Sequence, residues 1–437
     1  FGAIDGWGVS SVIHVPFSLI DSAERYPLNE ASLAENIVLI HAENQHQVPI
    51  EILSTGSHIA IKPLQVLSGE TEYYVAVSHG VLSHENIPLQ ADSEFTRIKT
   101  ADESELTEQE QQLKSHILAA EQSYQSIGGK GSLVYGAKFT TQSVHPILQA
   151  IRENNRQSVI SAPQPLNTGR KYDTFTAELS LPYYLPFTAE DSEECVIEPF
   201  DPVASCPELY RWMQPENGDL HLTKDNPLPA YEILDVPALI YAPVGWNGVS
   251  PLPVAMFVHG ITGNKENAST MVKDLVDNNY LVVAIDQVFH GERVVKDKHG
   301  VEISAANNSA FFINITSPLT LRGNLHQAVS DQLSLRFALG NADWVDPSEI
   351  HLIGHSLGGI VSVMVSEQSQ GDTAFSFDTV NFAVPGQGLT GIMLESLTLG
   401  GETETAIKNS PDILRAIAET VVPQECDEQA TNETCIT

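Results

Sequence analysis

A serine stands between glycines in a pattern that could make it a nucleophile. Residues 354–359 read Gly-His-Ser-Leu-Gly-Gly, after an apolar, strand-like stretch and before a helix-compatible one. In such a G-x-S-x-G sequence the glycines permit a tight turn that lifts the serine hydroxyl clear of the sheet, and the following helix favours negative charge beside it. We therefore predict Ser356 as the nucleophile of an acyl-transfer reaction, and a Gly/Ser turn without a role is the alternative. The residues predicted to support this turn are Gly354, His355 and Gly358.

A second motif could hold the charge that such a reaction creates. Residues 258–263 read Val-His-Gly-Ile-Thr-Gly and follow another apolar, strand-like stretch. The oxyanion of an acyl-transfer intermediate needs two N–H donors, conventionally one from the residue after the nucleophile and one from a loop of this kind. We predict the amides of Leu357 and Ile261 as these donors, with Gly260 shaping the loop. His259 could act as a general base, but its place before the loop favours a hydrogen-bonding role that fixes the loop.

Asp286 and His290 follow the next apolar stretch and could be interpreted as a catalytic pair. The alternative is that they organise the loop behind the nucleophile, which the chain order serine, acid, histidine favours. All 15 histidines lie at or before His355, so none follows Ser356. Either an upstream histidine such as His290 is the base, or the catalytic acid and histidine lie beyond Thr437. The strand count favours the second interpretation, because the nucleophile ends the fifth of six predicted strands.

These motifs need a sheet to position them, and residues 171–437 alternate between strand-like and helix-like stretches. The alternation predicts a mostly parallel sheet with helices on both faces. The predicted strands are residues 174–185, 238–242, 254–258, 280–285, 350–353 and 379–384, and the predicted helices are residues 265–277 and 319–339. Residues 191–227 are predicted as an exposed insertion. Residues 386–437 are predicted as a lid or acyl-chain wall above the site, with a plain buried helix as the alternative.

The N-terminal part of the chain has a different pattern. Residues 1–101 contain short alternating or β-branched stretches between Gly and Ser turns, which predict a small β-sandwich of the immunoglobulin-like kind. Residues 102–170 are predicted as a helical connector that ends in a linker at 161–165. The glycines at 128–131 lack the Gly-Lys-Ser/Thr of a phosphate loop.

Composition excludes several classes of function. The net charge of −34 over 437 residues repels nucleic acid and anionic membranes, so we expect no nucleic-acid partner and no basic membrane patch. No apolar stretch approaches the roughly 18 residues that a membrane span needs. The chain begins at Phe1 without a signal-peptide pattern, so we expect any leader to have been removed or to lie outside this sequence.

The four cysteines stand in two close pairs. The short loops Cys195–Cys206 and Cys426–Cys435 cost the least chain entropy to close, and we predict both as disulfides. Disulfides indicate an oxidising, exported location. The spacing lacks the C-x-x-C pairs of a zinc site, so no metal is expected.

In combination, the motifs resemble those of the bacterial virulence-factor lipase family, the large extracellular or surface-exposed lipases and lysophospholipases of aquatic gram-negative bacteria. The pieces that carry the resemblance run along most of the chain. They are residues 3–7 (Ala-Ile-Asp-Gly-Trp), 139–143 (Phe-Thr-Thr-Gln-Ser), 181–184 (Leu-Pro-Tyr-Tyr), 259–262, Asp286 with 290–293, 322–325 (Arg-Gly-Asn-Leu) and 354–359.

The resemblance implies an N-terminal β domain followed by an α/β-hydrolase domain, and hydrolysis of lipid esters through a serine nucleophile and an acyl-enzyme. It implies acylglycerol or lysophospholipid substrates, transient contact with lipid surfaces, no metal or organic cofactor, and export, often as a lipoprotein. The family's members are longer at the C-terminal end, so we expect the hydrolase domain to be incomplete here. A peptidase on the same scaffold and a non-catalytic surface-binding or adhesion protein with a retired hydrolase domain are the alternatives.

Overall fold

The computed structural model describes residues 5–17, 28–54, 58–197, 206–314, 317–386 and 400–408, together with residue 414. The chain divides into two compact units. The first comprises Phe1–Ile147 with Thr223–Asp225, and the second comprises Leu148–Leu222 with Asn226–Thr437.

Within its described residues, the first unit contains two antiparallel sheets and two α-helices. The strands are β1 (Ile13–Pro16), β2 (Ile37–His41), β3 (Gln47–Val48), β4 (Ile50–Ser54), β5 (His58–Pro63), β6 (Glu72–Ser78) and β7 (Leu133–Thr140). One sheet has the order β1-β5-β4 and the other the order β3-β2-β6-β7. The helices are α1 (Ser93–Thr100) and α2 (Glu108–Ser126).

Strand β2 is buried on both faces, because successive side chains of a strand point to opposite sides. Ile37 and Leu39 pack into the core that the two sheets share. Val38 and Ile40 pack on the other side, against Tyr124 of α2. The two-sheet arrangement expected for the N-terminus is therefore present, and α2, predicted as part of a connector, belongs to this unit's core. The finer likeness to an immunoglobulin domain stays a prediction.

Two of the motif pieces quoted above meet in the first unit. The carboxylate of Asp5 accepts hydrogen bonds from the amide of Ser143, at 3.1 Å, and from its hydroxyl. The amide of Trp7 donates to the carbonyl of Thr140 at 2.8 Å, and the carbonyl of Trp7 accepts from the amide of Gln142 at 2.8 Å. The segment around Asp5 therefore runs alongside the end of β7.

The second unit is built on a mixed sheet of eight strands. The strands of this unit are β8 (Val159–Ile160), β9 (Gln164–Asn167), β10 (Asp173–Tyr183), β11 (Glu232–Ala242), β12 (Leu252–Val258), β13 (Leu281–Ile285), β14 (Val295–Lys296), β15 (Glu302–Ile303), β16 (Val345–His355) and β17 (Thr379–Ala383). The large sheet has the order β17-β16-β12-β13-β11-β10-β8, with β9 also paired to β10, while β14 and β15 form a separate hairpin. Strands β13, β12, β16 and β17 are mutually parallel, and β11 runs antiparallel to both β13 and β10. Strands β8 and β9 also run antiparallel to β10, so the sheet is mixed and not mostly parallel as predicted.

The six strands predicted for this region are confirmed as β10 to β13, β16 and β17. The prediction of a linker at 161–165 is wrong, because β8 and β9 pair with β10 on either side of Pro163. Proline lacks an N–H donor and is confined to edge strands, which is where Pro165 of β9 lies. A proline-rich edge strand and a linker look alike in sequence.

The α-helices of the second unit are α3 (Pro146–Asn154, which spans the boundary between the units), α4 (Ala189–Glu194), α5 (Val272–Asp277), α6 (Pro318–Gly340), α7 (Leu357–Gln368) and α8 (Gly400–Lys408). Helix α6 confirms the prediction for residues 319–339. The helix predicted at 265–277 is divided into a 3-10 helix, Lys265–Thr270, and α5, because Met271 between them leaves helical geometry at φ −121°.

The carboxyl edge of the large sheet is where the chain leaves its parallel strands. The carboxyl ends of β12, β13, β16 and β17 lie at this edge because these strands are parallel. Ala238 of β11 pairs with Ile285 at the end of β13, and β11 continues beyond it to Glu232, which pairs with Tyr183. The connection from β10 to β11, which contains the predicted insertion, therefore begins and ends at the same edge.

Candidate active site

Ser356 lies at this edge, between the end of β16 and the first residue of α7. Its backbone has φ 54° and ψ −118°, and a positive φ is uncommon for any residue with a side chain. Its amide donates a 3.0 Å hydrogen bond to the carbonyl of Ala383 at the end of β17. The serine thus occupies a sharp, strained turn between a strand and a helix, which is the geometry that the motif predicts.

The packing around this turn requires two of the motif's glycines. A Cβ on Gly354 would lie 2.7 Å from the carbonyl carbon of Gly358, and a Cβ on Gly358 would lie 2.6 Å from the carbonyl carbon of Val258. Real Cβ atoms essentially never approach other atoms this closely. A side chain at either position would therefore push α7 away from β12 and β16.

The loop that follows β12 lies directly against the serine. A Cβ on Gly260 would lie 3.1 Å from the Cβ of Ser356. The amide of Gly263 donates a 3.1 Å hydrogen bond to the carbonyl of Gly260 and closes a turn. Thr262, the third residue of the turn, has φ 62°, as a type II turn requires. The two motifs predicted to act together are therefore brought together.

The two predicted oxyanion donors are not used by these turns. Ile261 is the second residue of the turn, whose closing hydrogen bond comes from Gly263. Leu357 is the first residue of α7, and the first N–H groups of an α-helix have no partner within the helix. Both amides thus belong to segments in contact with Ser356, and their use as donors stays a prediction.

His259 is fully buried and holds this loop through both ring nitrogens. Its Nε2 accepts a 3.0 Å hydrogen bond from the amide of Gln287, which assigns the ring proton to Nδ1, 2.9 Å from the carbonyl of Gly260. The side chain of Gln287 donates to the carbonyl of His259 at 2.7 Å. Burial lowers the pKa of His259, so the ring is neutral. This arrangement favours the loop-fixing role over the general base.

Asp286 is a buried carboxylate whose hydrogen bonds go to the loops on either side. Its Oδ1 accepts from the amide of Lys265 at 2.7 Å, and its Oδ2 accepts from Lys265 Nζ at 2.7 Å and from the amide of Glu292 at 2.9 Å. A Cβ on Gly291, which has φ 51°, would clash with this carboxyl group. The structure therefore does not form the alternative catalytic pair of Asp286 with His290, and it gives the aspartate a loop-organising role.

His290 is enclosed, and only one of its ring nitrogens has a partner among the described residues. Nδ1 lies 2.8 Å from the carbonyl of Val288, whereas Nε2 is buried without a hydrogen bond. The ring packs against His259, at 5.0 Å between centroids, and against Phe312, at 5.4 Å. Burial, helped by the neighbouring His259, lowers the pKa of His290 to about 4. This arrangement does not present His290 as the base for Ser356.

The structure describes every histidine of the chain. Ser356 is partly exposed. Its hydroxyl makes no hydrogen bond to any histidine among the described residues. His355, the residue before it, is exposed at the surface. A serine–histidine pair is therefore not assembled in this part of the chain.

Sequence reasoning missed the buried charges that support the site. Lys265 Nζ also lies 2.9 Å from Glu292 Oε1, and Arg293 donates to the carbonyl of Asp286 at 3.0 Å. Arg293 further pairs with the buried carboxylate of Asp331 on α6. Asp331 belongs to a group of buried polar side chains on α6, which also includes Gln327, Ser330 and Gln332. Polar residues spread along this helix give no sequence signal that singles out the second pair.

The predicted disulfide Cys195–Cys206 is formed, within the segment between β10 and β11. Both cysteines are buried, as are Leu209 and Met213, so the prediction of an exposed insertion is wrong for these residues. Next to the disulfide, the amide of Ile197 donates to the Asp297 carboxylate at 3.0 Å, and the amide of Lys298 donates to the carbonyl of Cys195 at 2.9 Å. These bonds tie the segment to the β14–β15 hairpin.

The same cysteines and Glu208 are the one group of three potential metal ligands found among the described residues. Their sulfur atoms are bonded to each other and are not available as thiolates. Cys426 and Cys435 lie outside the described residues, as does most of the predicted lid at 386–437 apart from α8.

A mixed sheet flanked by helices, with a serine on a strained turn between a strand and a helix at the carboxyl edge, is the arrangement of an α/β hydrolase. The second unit has an α/β-hydrolase fold. In the described part of the chain, no helix has both the length and the apolar character needed to cross a membrane.

No protein-family model matches the chain, and no curated protein matches it in sequence. Among solved structures, it is similar to acetyl xylan esterase 1 from Thermoanaerobacterium sp. JW/SL YS485, with 11% identity, 66% of this chain and 69% of that chain covered, and a TM-score of 0.36. It is also similar to Est1E from Butyrivibrio proteoclasticus, whose structure contains bound ferulic acid. The identity is 18%, the match covers 37% of this chain and 51% of Est1E, and the TM-score is 0.25.

A third similar structure is TT1662 from Thermus thermophilus, with 20% identity, 33% of this chain and 50% of that chain covered, and a TM-score of 0.23. The chain thus spans about half the length of TT1662 and of Est1E.

Proposed function

We propose that this protein is a serine carboxylester hydrolase that acts on lipid esters, with Ser356 as the nucleophile. The observation that carries the proposal is the contact between the strained turn at Ser356 and the loop at Gly260. It places a partly exposed hydroxyl beside two backbone segments whose amides, those of Ile261 and Leu357, are free of turn and helix hydrogen bonds. Strain of this kind persists mainly at functional sites.

The proposed reaction follows from these positions. The Ser356 hydroxyl attacks the ester carbonyl carbon and gives its proton to a base, and the amides of Ile261 and Leu357 hold the oxyanion that forms. The carbon–oxygen bond to the alcohol then breaks and leaves an acyl-enzyme, which water hydrolyses to the free acid. The proposed base is a histidine other than His259 and His290, because the rings of these two are buried and make their hydrogen bonds within the loops.

The lipid substrate and the exported location are the finer parts of the proposal. The substrate rests on the motif resemblance and on apolar residues exposed at the end of β17, Phe382 and Val384. The location, secreted or on the outer cell surface, is supported by the Cys195–Cys206 disulfide, which forms and persists in oxidising compartments.

Labelling with a fluorophosphonate tests the nucleophile. The expected adduct is on Ser356, located by mass spectrometry, and both the adduct and lipid-ester hydrolysis by the full-length protein are lost in Ser356→Ala. Ser366→Ala is a matched control, because Ser366 lies on α7, the helix that begins directly after Ser356, and is also partly exposed. Unchanged hydrolysis in Ser356→Ala would exclude this serine as the nucleophile.

A non-catalytic binding protein is the second candidate, and the lack of a histidine hydrogen-bonded to Ser356 among the described residues favours it. It predicts neither an adduct nor turnover in the full-length protein, with folding intact. Comparing ester and amide substrates with the same acyl group would separate an esterase from a peptidase.

A further inference from the structure

The residues that follow β17 are held against the serine at two points. The carbonyl of Ala383 accepts the 3.0 Å hydrogen bond from the amide of Ser356. A Cβ on Gly359 would lie 3.1 Å from the Cβ of Pro385, so the proline lies on the first turn of α7. Val384 is the single residue between these two anchors.

Covalent geometry fixes how close Val384 is to the site. Its Cα is joined to the carbonyl oxygen of Ala383 by three bonds, with a combined length of about 4 Å. That oxygen lies 3.0 Å from the amide nitrogen of Ser356. The Cα of Val384 is therefore within about 7 Å of the backbone of the proposed nucleophile.

The conformation and exposure of Val384 are both unusual. Its φ is 46°, and a β-branched residue in the left-handed region is a genuine outlier. Its side chain is 73% exposed, more than any other large hydrophobic residue in the described part of the chain. No burial of the side chain offsets the strain. Strained residues of this kind cluster at ligand clamps and active sites.

We propose that Val384 is a specificity-determining residue that contacts the apolar part of the ester bound at Ser356. This inference rests on the proposed function. An exposed apolar side chain this close to the nucleophile gives an alkyl group a surface on which to lose its contact with water. The contact strengthens as the alkyl group lengthens, so Val384 favours long-chain over short-chain esters.

The test compares kcat/KM for short and long esters in the full-length wild type, Val384→Ala and Val384→Asp. One pair of substrates, p-nitrophenyl acetate and p-nitrophenyl hexanoate, varies the acyl group. The other pair, methyl butyrate and hexyl butyrate, varies the alcohol. Val249→Ala and Val249→Asp are matched controls, because Val249 is 69% exposed in the loop between β11 and β12, at the opposite edge of the sheet.

In one of the two substrate pairs, we expect Val384→Asp to lower kcat/KM for the long ester by about tenfold or more. For the short ester of the same pair, kcat/KM should change by less than about twofold. Val384→Ala gives a smaller change in the same direction, and the Val249 variants give none. The pair that responds identifies the acyl or the alcohol group as the part in contact. Val384→Ala keeps the test valid if the aspartate variant fails to fold.

Equal losses on short and long esters, or no loss on either, would overturn the role of Val384 while leaving Ser356-dependent turnover in place. Absence of Ser356-dependent turnover in the wild type would instead overturn the proposed function, and this inference with it.

Discussion

The ammonium nitrogen of Lys265 lies 2.7 Å from Oδ2 of Asp286, and both side chains are almost completely buried. Lys265 begins the short helix after the Gly260 loop, and Asp286 follows the last residue of β13. The ion pair therefore joins two loops at the edge where Ser356 lies. A buried pair of this kind is costly to break, because the buried ammonium keeps only the carboxylates of Glu292 and Glu266, which are more than half exposed, as partners.

We expect Asp286→Ala to lower the free energy of unfolding by about 3 to 5 kcal/mol, since it leaves the Lys265 ammonium without its buried carboxylate. Urea unfolding measures the change. Asp277→Ala is the control, because Asp277 pairs with Lys273 at the surface, with both side chains more than half exposed. Exposed pairs contribute at most about 1 kcal/mol. Equal losses in the two variants would mean that burial adds nothing to the pair.

Ile261→Pro tests the proposed oxyanion hole, because it deletes one backbone N–H. Ile261 is the second residue of a turn in which Thr262 has φ 62°, and proline is favoured at the second position of type II turns. The turn is therefore expected to persist. Loss of one oxyanion donor lowers kcat by about 100- to 1,000-fold. The measurement is steady-state kinetics on the ester that the wild type hydrolyses fastest.

The control for this prediction is Ile261→Ala, which shortens the side chain and keeps the N–H. It should retain kcat within a few-fold, while any change in substrate contact affects KM. A similar loss of kcat in both variants would assign the effect to the side chain and remove the amide from the mechanism.

Gly358→Ala should disrupt the turn at Ser356, because its Cβ would lie 2.6 Å from the carbonyl carbon of Val258. The expected result is loss of fluorophosphonate labelling at Ser356 together with a lowered melting temperature. Gly401→Ala in α8 is the matched control, since no atom lies within 4 Å of a Cβ placed there. Alanine is favoured over glycine within a helix by about 0.5 to 1 kcal/mol, so this control should be neutral or slightly stabilising.

His290 should make stability depend on pH below neutrality. Its pKa in the folded protein is about 4, against an ordinary value of 6.5, so the unfolded chain binds the proton more readily between these values. Protonation of His290 therefore does not affect the free energy of unfolding above pH 6.5. As pH falls from 6.5 towards 4, the free energy of unfolding decreases by about 3 kcal/mol because of this residue.

His290→Phe removes this titration. The difference between wild type and variant in the free energy of unfolding, measured in urea from pH 4 to pH 8, should therefore change between pH 6.5 and 4 and stay flat above. A constant difference across the whole range would show that the ring does not titrate abnormally.

The parts of the site that depend on local backbone geometry could be predicted from the sequence. The glycines around Ser356 and the Gly260 turn are visible because only certain residues permit such conformations. Their contact in space follows from parallel neighbouring strands, which the alternation of strands and helices predicts. The six strands of the hydrolase sheet could be predicted for the same reason.

Other features depend on packing between distant segments, which leaves little trace in a single sequence. Lys265 looks like an ordinary surface lysine until β13 brings Asp286 beside it. His290 looks like a candidate base, and only its packing with His259 and Phe312 reveals that it is enclosed. Helix α2 has the charged composition of a connector, yet its apolar side covers one face of β2.

The pairing of Tyr183 with Glu232 fixes where the segment between β10 and β11 begins and ends. Paired residues of antiparallel strands have their Cα atoms about 5 Å apart, so the whole segment between them departs from and returns to nearly one point. A two-residue turn is enough to join such ends. The strands would pair with a far shorter connection, so the length of this segment is set by what it covers: Leu209 and Met213 are buried, and Thr320 of α6 donates to the carbonyl of Tyr210 at 2.8 Å.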